Sequence, residues 1–266
     1  MSEFILEAHH LVKTYTQRSD RFGFNTTLVK ALDDVSVGLS AGKTLAVVGE
    51  SGSGKSTLAR CLLQLHPFDS GEVIFQGQQL DKLSGQALRQ MRQYLQMVFQ
   101  DPFASLNPRM RVGEIVGEGL VIHGLGSSSD QQKKVVAMLK RVGLTEADMQ
   151  KYPHEFSGGQ RQRVGIARAL VLQPKVVVCD EPVSALDVSI QAQILLLLKE
   201  LQAEMALSYL FISHDLRVVR HIADDVVVMY QGRIVEQGSV SEIYDTPREE
   251  YTRKLLSAIP GKAMQH

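Results

Sequence analysis

The sequence lacks the marks of a membrane-spanning, secreted or general nucleic-acid-binding protein. No apolar run approaches the ~20 residues that a bilayer-spanning helix needs. The first residues, MSEFILEAHH, have no cationic segment followed by a long apolar one, so they do not form a signal peptide. Lys plus Arg and Asp plus Glu number 29 each, which leaves a formal net charge of zero instead of the basic surplus of a nucleic-acid binder. We therefore expect a soluble, cytoplasmic chain.

Cysteine is scarce as well. Cys61 and Cys179 are the only two, and both lie within apolar runs, so we predict buried small side chains and no disulfide. The eight histidines do not have zinc-ligand spacing. With 266 residues, of which 44% are hydrophobic, the chain can bury the core of one large domain or of two small ones.

A phosphate-binding motif follows the apolar run TLAVV at 44–48. Residues 49–56 (GESGSGKS) match the P-loop pattern G-x-x-x-x-G-K-[ST]. The helical spacing of 57–65 completes the strand–loop–helix context that this motif requires. Glycines let backbone N–H groups face a phosphate chain, Lys55 can reach the β- and γ-phosphates, and the Ser56 hydroxyl can ligate Mg²⁺. The alternative is a Gly-rich turn that happens to end in Lys-Ser. The predicted nucleotide-binding residues here are Gly49, Glu50, Ser51, Gly52, Ser53, Gly54, Lys55, Ser56 and Thr57.

The pattern along the chain predicts an α/β fold with a P-loop NTPase core, a mixed or parallel sheet and an N-terminal antiparallel β part. That part comes from the strand-like segments 4–11 and 28–39, joined by a polar loop or hairpin tip at 16–27. We predict one domain over residues 1–266, whose core comprises 1–100 and 157–266.

A helical insertion is predicted between the two parts of the core, at 101–156. Helical spacing covers 112–123 and 131–142, and the segment 124–130 (GLGSSSD) between them is predicted to be a linker with an N-cap signal at its end. No strong strand pattern occurs in the insertion.

Four short apolar runs each stop at a polar residue of chemical interest. Continuous apolar runs of this length fit parallel strands buried on both faces, and ligands bind outside the carboxyl ends of such strands. If the strands are parallel neighbours, their polar ends lie at one edge. The polar residues that follow the runs TLAVV, LQMVF, VVVC and YLFIS are Gly49, Gln100, Asp180 with Glu181, and His214.

The chemistry of phosphoryl transfer suggests a role for each of these ends. Asp180 fits a Walker B acid that holds the Mg²⁺ shell, and Glu181 stands where a base for an attacking water would sit, or else is a helix-starting acid. His214 could contact the γ-phosphate or orient Glu181, or be a structural histidine. Gln100 could orient the water or ligate Mg²⁺, or be a surface glutamine.

A second helix start also suits a phosphate. Ser157 with Gln160 fits the S-x-x-Q capping box, and a helix N-terminus binds anions. Gly158 and Gly159 each weaken the first turn by about 1 kcal/mol, which is easier to explain if a ligand approaches the backbone. Two such starts on one phosphate chain would crowd within one subunit, so we predict a head-to-tail dimer with each nucleotide between one P-loop and the other chain's Ser157 turn. The alternative is a plain capped helix.

The chain contains, in this order, the P-loop, Gln100, the SGGQ helix start at 157–160, Asp180-Glu181, Ser184-Ala185-Leu186-Asp187 and His214. Over nearly its whole length the chain resembles the nucleotide-binding subunit of an ATP-binding cassette (ABC) transporter. The resemblance implies an ATPase that uses ATP and Mg²⁺. It makes Tyr15 the aromatic that stacks on adenine, Gln100 the Q-loop residue, Glu181 the residue that polarises water and His214 the switch histidine. It also implies that Ser157, Gly158 and Gly159 contact ATP in the opposite subunit and that 184–187 is the D-loop.

A finer resemblance rests on the segments DPFASLNPR (101–109), YPHEF (152–156) and VSALDVS (183–189), and on Tyr251-Thr252. These look like the dipeptide, oligopeptide and nickel importer class, although position 53 is Ser where that class often has Cys. The resemblance implies a subunit at the cytoplasmic face of the inner membrane. Its partners would be two permease subunits, a second ABC ATPase that is a copy or a paralogue, and indirectly an extracytoplasmic solute-binding protein.

Two other functions are compatible with a P-loop. A non-transport ABC ATPase that acts on ribosomes or DNA would usually carry a second cassette, a long coiled-coil insertion or a zinc module, and the charge balance also argues against it. The hypothesis of a small-molecule kinase explains neither the SGGQ turn at 157–160 nor the adjacent acids Asp180 and Glu181.

Overall fold

The computed structural model of the protein describes residues 4–18 and 26–259. The chain divides into two compact units, the first formed by Met1–Leu83 with Tyr209–His266 and the second by Ser84–Ser208. The strands of the first unit are β1 (Phe4–Arg18), β2 (Thr26–Ser40), β3 (Thr44–Val48), β4 (Ser70–Phe75), β5 (Gln78–Gln79), β8 (Ser208–Ile212), β9 (Asp225–Tyr230) and β10 (Arg233–Ser239). Its helices are α1 (Lys55–Leu62), the 3₁₀ helix Leu80–Lys82, α8 (Leu216–Ile222), α9 (Val240–Asp245) and α10 (Glu250–Ser257).

The second unit is mainly helical. Its two strands are β6 (Leu95–Val98) and β7 (Val176–Asp180). Its helices are α2 (Gly85–Arg92), α3 (Pro102–Ser105), α4 (Val112–Ile122), α5 (Ser128–Arg141), the 3₁₀ helices Glu146–Gln150 and Pro153–Glu155, α6 (Gly158–Leu170) and α7 (Val188–Met205).

An antiparallel sheet in the order β2-β1-β4-β5 forms the N-terminal part of the first unit, as the sequence predicts. The predicted loop at 16–27 is wrong at both ends, because β1 and β2 stay paired as far as Arg18 and Thr26. Threonines at 16 and 27 favour strand, and cross-strand pairing stabilises the extension. The middle of that segment, 19–25, lies outside the described residues.

A second sheet of the first unit places β3 between β8 and β9, parallel to both. The pairing aligns Val47 with Ile212, so the carboxyl ends of β3 and β8 lie at the same edge. β10 pairs with β9 in antiparallel fashion after a turn at Gln231-Gly232. One face of this sheet packs with α8, α9 and α10 around a buried cluster that includes Val48, Val226 and Leu256.

The second unit contains a parallel pair of strands, β6 and β7, in which Val98 aligns with Cys179. The linker predicted at 124–130 is wrong at its end, because α5 already begins at Ser128. The Ser127 hydroxyl accepts a hydrogen bond from the Asp130 N–H at 3.3 Å, and an Asp130 carboxylate oxygen accepts one from the Ser127 N–H at 3.1 Å. This capping box fixes the helix start.

The predicted α/β class with an antiparallel β part and added helices is confirmed. The proposed division into a core and a 101–156 insertion stays a prediction. Cys61 and Cys179 are buried free thiols, and burial raises the pKa of the Cys61 thiol to about 11. Among residues 4–18 and 26–259, no helix has both the length and the apolar character to cross a membrane.

Candidate functional site

The loop from Gly49 to Ser56 joins β3 to α1 in the first unit, and two of its glycines stand against neighbouring strands. A Cβ on Gly49 would lie 2.2 Å from the carbonyl oxygen of Met229, and one on Gly54 would lie 2.3 Å from that of Ala31. Their φ angles of 148° and 107° also favour glycine. The loop is therefore held against the backbones of β9 and β2, with no room for larger residues at these two positions.

Lys55 points into this loop. Its side chain is buried, with 5% exposure, and Nζ donates hydrogen bonds of 2.8 Å to the carbonyl oxygens of both Gly49 and Glu50. A third contact, of 3.5 Å, joins Nζ to the Ser53 hydroxyl. α1 begins at Lys55. The loop therefore lies next to both the ammonium group and the positive end of the helix dipole, and this combination suits the binding of an anion.

His214 follows β8 as Gly49 follows β3. The two strands are parallel and in register, and each of these residues comes two positions after the aligned pair Val47 and Ile212. Between Ile212 and His214, the Ser213 N–H donates to the carbonyl oxygen of Val47 at 3.3 Å. The histidine is exposed. The predicted common edge is thus confirmed for this pair of strands.

Tyr15 lies on β1 with 37% of its surface exposed. Its hydroxyl is 3.1 Å from Nδ1 of His66, and the Lys13 ammonium group is 5.3 Å from the centre of its ring. These contacts hold an exposed ring in place, as a stacking platform for a flat base requires.

The second unit brings Gln100 and Glu181 together. Both residues come two positions after the aligned pair Val98 and Cys179, and Nε2 of Gln100 donates to Oε2 of Glu181 at 2.9 Å. Asp180 ends β7 and is buried, with 4% exposure. Glu181 has a φ of 47°, a conformation that is uncommon outside glycine and that tends to cluster at functional sites.

The predicted capping box at the start of α6 is present. The Ser157 hydroxyl accepts from the Gln160 N–H at 3.4 Å, and Oε1 of Gln160 accepts from the Ser157 N–H at 3.0 Å. The prediction that a ligand explains both glycines is wrong at Gly159, because this residue is buried and a Cβ there would lie 2.6 Å from Cγ2 of Ile190. Packing against α7 therefore explains Gly159, whereas Gly158 is exposed and leaves its face of the helix start accessible.

Two arginines of α6 contact the segment that follows Gln100, and the sequence did not identify either as a site residue. The guanidinium group of Arg161 lies 3.6 Å from the centre of the Phe103 ring, and Nη1 of Arg168 donates to the carbonyl oxygen of Ser105 at 2.5 Å. Arg168 is half-buried, and this burial lowers the pKa of its guanidinium group. The two arginines are seven positions apart on one helix, a spacing that puts them on the same face and could have identified them.

Residues 32–184 match the protein family described as ABC transporter. The chain belongs to that family. The matched range includes the P-loop, Gln100, the Ser157 turn, Asp180 and Glu181.

Two curated relatives of this ABC ATPase are peptide transport proteins. The chain is 51% identical to the oligopeptide transport ATP-binding protein OppF of Haemophilus influenzae, over 97% of this chain and 79% of the relative. It is 53% identical to the dipeptide transport ATP-binding protein DppF of Escherichia coli, over 96% and 76%. Among solved structures, the ATP-binding cassette MJ0796, a dimer in a post-hydrolysis state bound to ADP and Pi, is 28% identical with a TM-score of 0.78, over 88% of this chain and 98% of that one.

The predicted enzyme class is confirmed by these relatives: the chain is an ATPase of a transport system. They favour transport over the alternative of an ABC ATPase that acts on ribosomes or DNA. The individual roles of the site residues stay predictions.

Proposed function

We propose that this ABC ATPase drives the uptake of peptides, or of a related small solute such as nickel, by a multi-subunit importer. The relatives OppF and DppF, which are ATP-binding proteins of oligopeptide and dipeptide transport, support the solute class. The observation that carries the catalytic proposal is the hydrogen bond between Gln100 and Glu181, because it orients a carboxylate beside a buried aspartate.

The first step is binding of ATP. The Tyr15 ring stacks on adenine, and loop 49–56, with Thr57, surrounds the phosphates and supplies backbone N–H groups to them. The Lys55 ammonium group, now hydrogen-bonded to loop carbonyls, exchanges part of this hydrogen bonding for phosphate oxygens. His214 contacts the γ-phosphate.

Each of the three residues predicted to ligate a metal has the chemistry that Mg²⁺ prefers. The Ser56 hydroxyl, the amide oxygen of Gln100 and the Asp180 carboxylate are all oxygen ligands, which this cation prefers. Held by these residues, Mg²⁺ would neutralise charge on the phosphate oxygens. Gln100 uses its amide nitrogen for Glu181, so its amide oxygen is the group left for this role.

Glu181 acts as the base. Gln100 holds one of its carboxylate oxygens, and the carboxylate accepts the proton of the water that attacks the γ-phosphorus. The products are ADP and phosphate. Water is the acceptor in this proposal, which distinguishes it from the kinase alternative.

The working assembly is a head-to-tail pair of ATPase subunits, either two copies of this chain or this chain and a paralogue. Ser157, Gly158, Gly159 and Gln160 of one subunit bind the nucleotide held by the P-loop of the other. The dimeric state of MJ0796 with ADP and Pi supports this arrangement. The pair sits on two permease subunits at the cytoplasmic face of the inner membrane, and a solute-binding protein delivers solute from outside.

Replacing the proposed base tests this function. Glu181→Gln keeps the hydrogen-bonding shape but cannot accept a proton, so we expect ATP binding to persist, turnover to fall by about 10²-fold or more, and ATP-bound dimers to accumulate. Size-exclusion chromatography with ATP and a phosphate-release assay measure these outcomes. Cells that carry only this variant should also lose uptake of a radiolabelled dipeptide.

Glu204→Gln is the matched control, because Glu204 makes an exposed ion pair with Arg141 on the same unit. It should behave as the unmodified protein does. An active, monomeric Glu181→Gln protein would remove Glu181 from the base role, and dipeptide uptake independent of this chain would remove the proposed solute class.

A further inference from the structure

The C-terminal helix α10 contacts the P-loop through one side chain. The hydroxyl oxygen of Tyr251 accepts a hydrogen bond of 3.1 Å from the N–H of Glu50, a residue 201 positions earlier in the chain. Glu50 is the second residue of the P-loop motif. Because its N–H is directed at the Tyr251 hydroxyl, the N–H groups of the loop residues that follow it are the ones that should face the phosphates. The range matched to the ABC transporter family ends at residue 184, so it does not include Tyr251.

Helix α10 is held firmly where it makes this contact. Glu236 on β10 accepts hydrogen bonds from the N–H groups of Arg248 at 2.7 Å and of Glu249 at 3.2 Å, just before the helix begins. Within the helix, Thr252 and Leu256 are buried. The Tyr251 backbone is therefore fixed from both sides, and its hydroxyl can act as a rigid acceptor.

The Tyr251 ring is fixed as well. Its centre lies 4.3 Å from that of the Tyr230 ring at the end of β9, with the two planes tilted by 40°. A tyrosine hydroxyl is neutral at physiological pH, and burial raises the pKa of the Tyr251 hydroxyl further, so it does not bring a negative charge to the loop. A neutral oxygen next to a phosphate site adds no charge repulsion.

We propose that Tyr251 is a positioning residue of the P-loop: by holding the Glu50 N–H, it keeps the first half of the loop in the conformation that receives the triphosphate. The inference rests on the proposed function, in which loop 49–56 binds ATP. A glycine-rich loop loses much conformational freedom when it binds a ligand, and a loop that is already ordered loses less. One hydrogen bond of this kind corresponds to an affinity difference of about 2- to 10-fold.

Tyr251→Phe removes the hydroxyl and keeps the ring. In the full chain, we expect a non-hydrolysable ATP analogue with Mg²⁺ to bind about 2- to 10-fold more weakly by calorimetry, and the KM for ATP to rise with little change in kcat. The Glu50 amide proton should exchange with solvent faster, as measured by NMR without nucleotide. A merely structural tyrosine would not alter exchange at that amide.

Tyr244→Phe is the matched control. It also removes a tyrosine hydroxyl from the buried cluster of this unit, where the group donates to the carbonyl oxygen of Leu216 and not to the loop. We expect unchanged nucleotide affinity and unchanged Glu50 exchange for it. Equal losses in the two variants, or unchanged or tighter binding by Tyr251→Phe, would overturn the proposal.

Lys55→Ala distinguishes a wrong P-loop assignment from a wrong positioning role of Tyr251. If that variant binds the analogue as well as the unmodified protein does, the P-loop assignment itself is wrong. If it loses binding while Tyr251→Phe does not, the assignment stands and the positioning role of Tyr251 is wrong.

Discussion

At the scale of a single residue, Lys55 shows how a charge is kept inside a loop before any nucleotide binds. A buried ammonium group is costly unless hydrogen bonds replace its hydration. Here the carbonyl oxygens of Gly49 and Glu50 do so, each at 2.8 Å. These are neutral acceptors, and a phosphate oxygen is a charged one, so the exchange on ATP binding favours the nucleotide.

The first prediction at this scale concerns turnover. Lys55→Ala removes a positive charge that stabilises the transition state, so ATPase turnover should fall by about 10²-fold or more. A phosphate-release assay at saturating ATP measures the loss.

Lys43→Ala is the control for a lysine next to the same strand. Lys43 is exposed and pairs with Asp224 at 3.0 Å, away from the loop. Its loss should leave turnover close to that of the unmodified protein. Full activity of the Lys55 variant would show that this lysine does not contact the phosphates.

At the scale of an element, different physical reasons explain the two glycines at the start of α6. Gly159 is buried against Ile190, and Gly158 would meet only an ordinary contact, since a Cβ there would lie 3.4 Å from Cδ2 of Leu186. A β-branched isoleucine within a helix has little freedom to move aside. The first glycine is thus free to serve a ligand, while the second is required by packing.

Alanine at each position should separate the two causes. Gly159→Ala should destabilise the fold by on the order of 1 kcal/mol, because overpacking costs about 1–3 kcal/mol and the better helix propensity of Ala returns up to about 1 kcal/mol. Gly158→Ala should leave folding stability unchanged or slightly higher, and should lower ATP-dependent dimer formation. Denaturant unfolding and size-exclusion chromatography measure the two effects.

A double-mutant cycle completes this comparison. Ile190→Ala removes the group that a Cβ on Gly159 would strike, so it should relieve part of the Gly159→Ala loss. Additive losses would show that the two side chains do not collide.

The sequence was sufficient for elements whose cause is local. Apolar runs predicted β3, β6, β7 and β8, and the S-x-x-Q pattern predicted the start of α6. It failed where pairing across the chain decides, as at the ends of β1 and β2. It did not indicate the contacts of Arg168 and Tyr251, whose partners are 63 and 201 positions away. The spacing of Arg161 and Arg168 places both on one helix face, and Tyr251 belongs to a segment that resembles the importer class, but neither pattern identifies a partner.

At the scale of the whole molecule, each unit positions its own share of the proposed machinery by the same device. In the first unit the parallel strands β3 and β8 put the P-loop and His214 at one edge, and in the second unit β6 and β7 do so for Gln100 and Glu181. The Ser157 turn belongs to neither strand pair. Its proposed role requires a second subunit. Pairing copies that carry different substitutions can therefore test whether each nucleotide site is shared between two subunits.

In a head-to-tail dimer, each nucleotide site combines Lys55 of one copy with Ser157 of the other. Pairing a Lys55→Ala copy with a Ser157→Arg copy puts both changes in the same site and leaves the other site intact. Pairing a copy that carries both changes with an unmodified copy damages both sites. We therefore expect the first pair to retain one tightly bound nucleotide and measurable turnover, and the second pair to lose both. Differently tagged copies, purified in tandem, allow nucleotide per dimer and phosphate release to be measured. If each site lies within one copy, the outcome reverses: the first pair is inactive and the second keeps one working site.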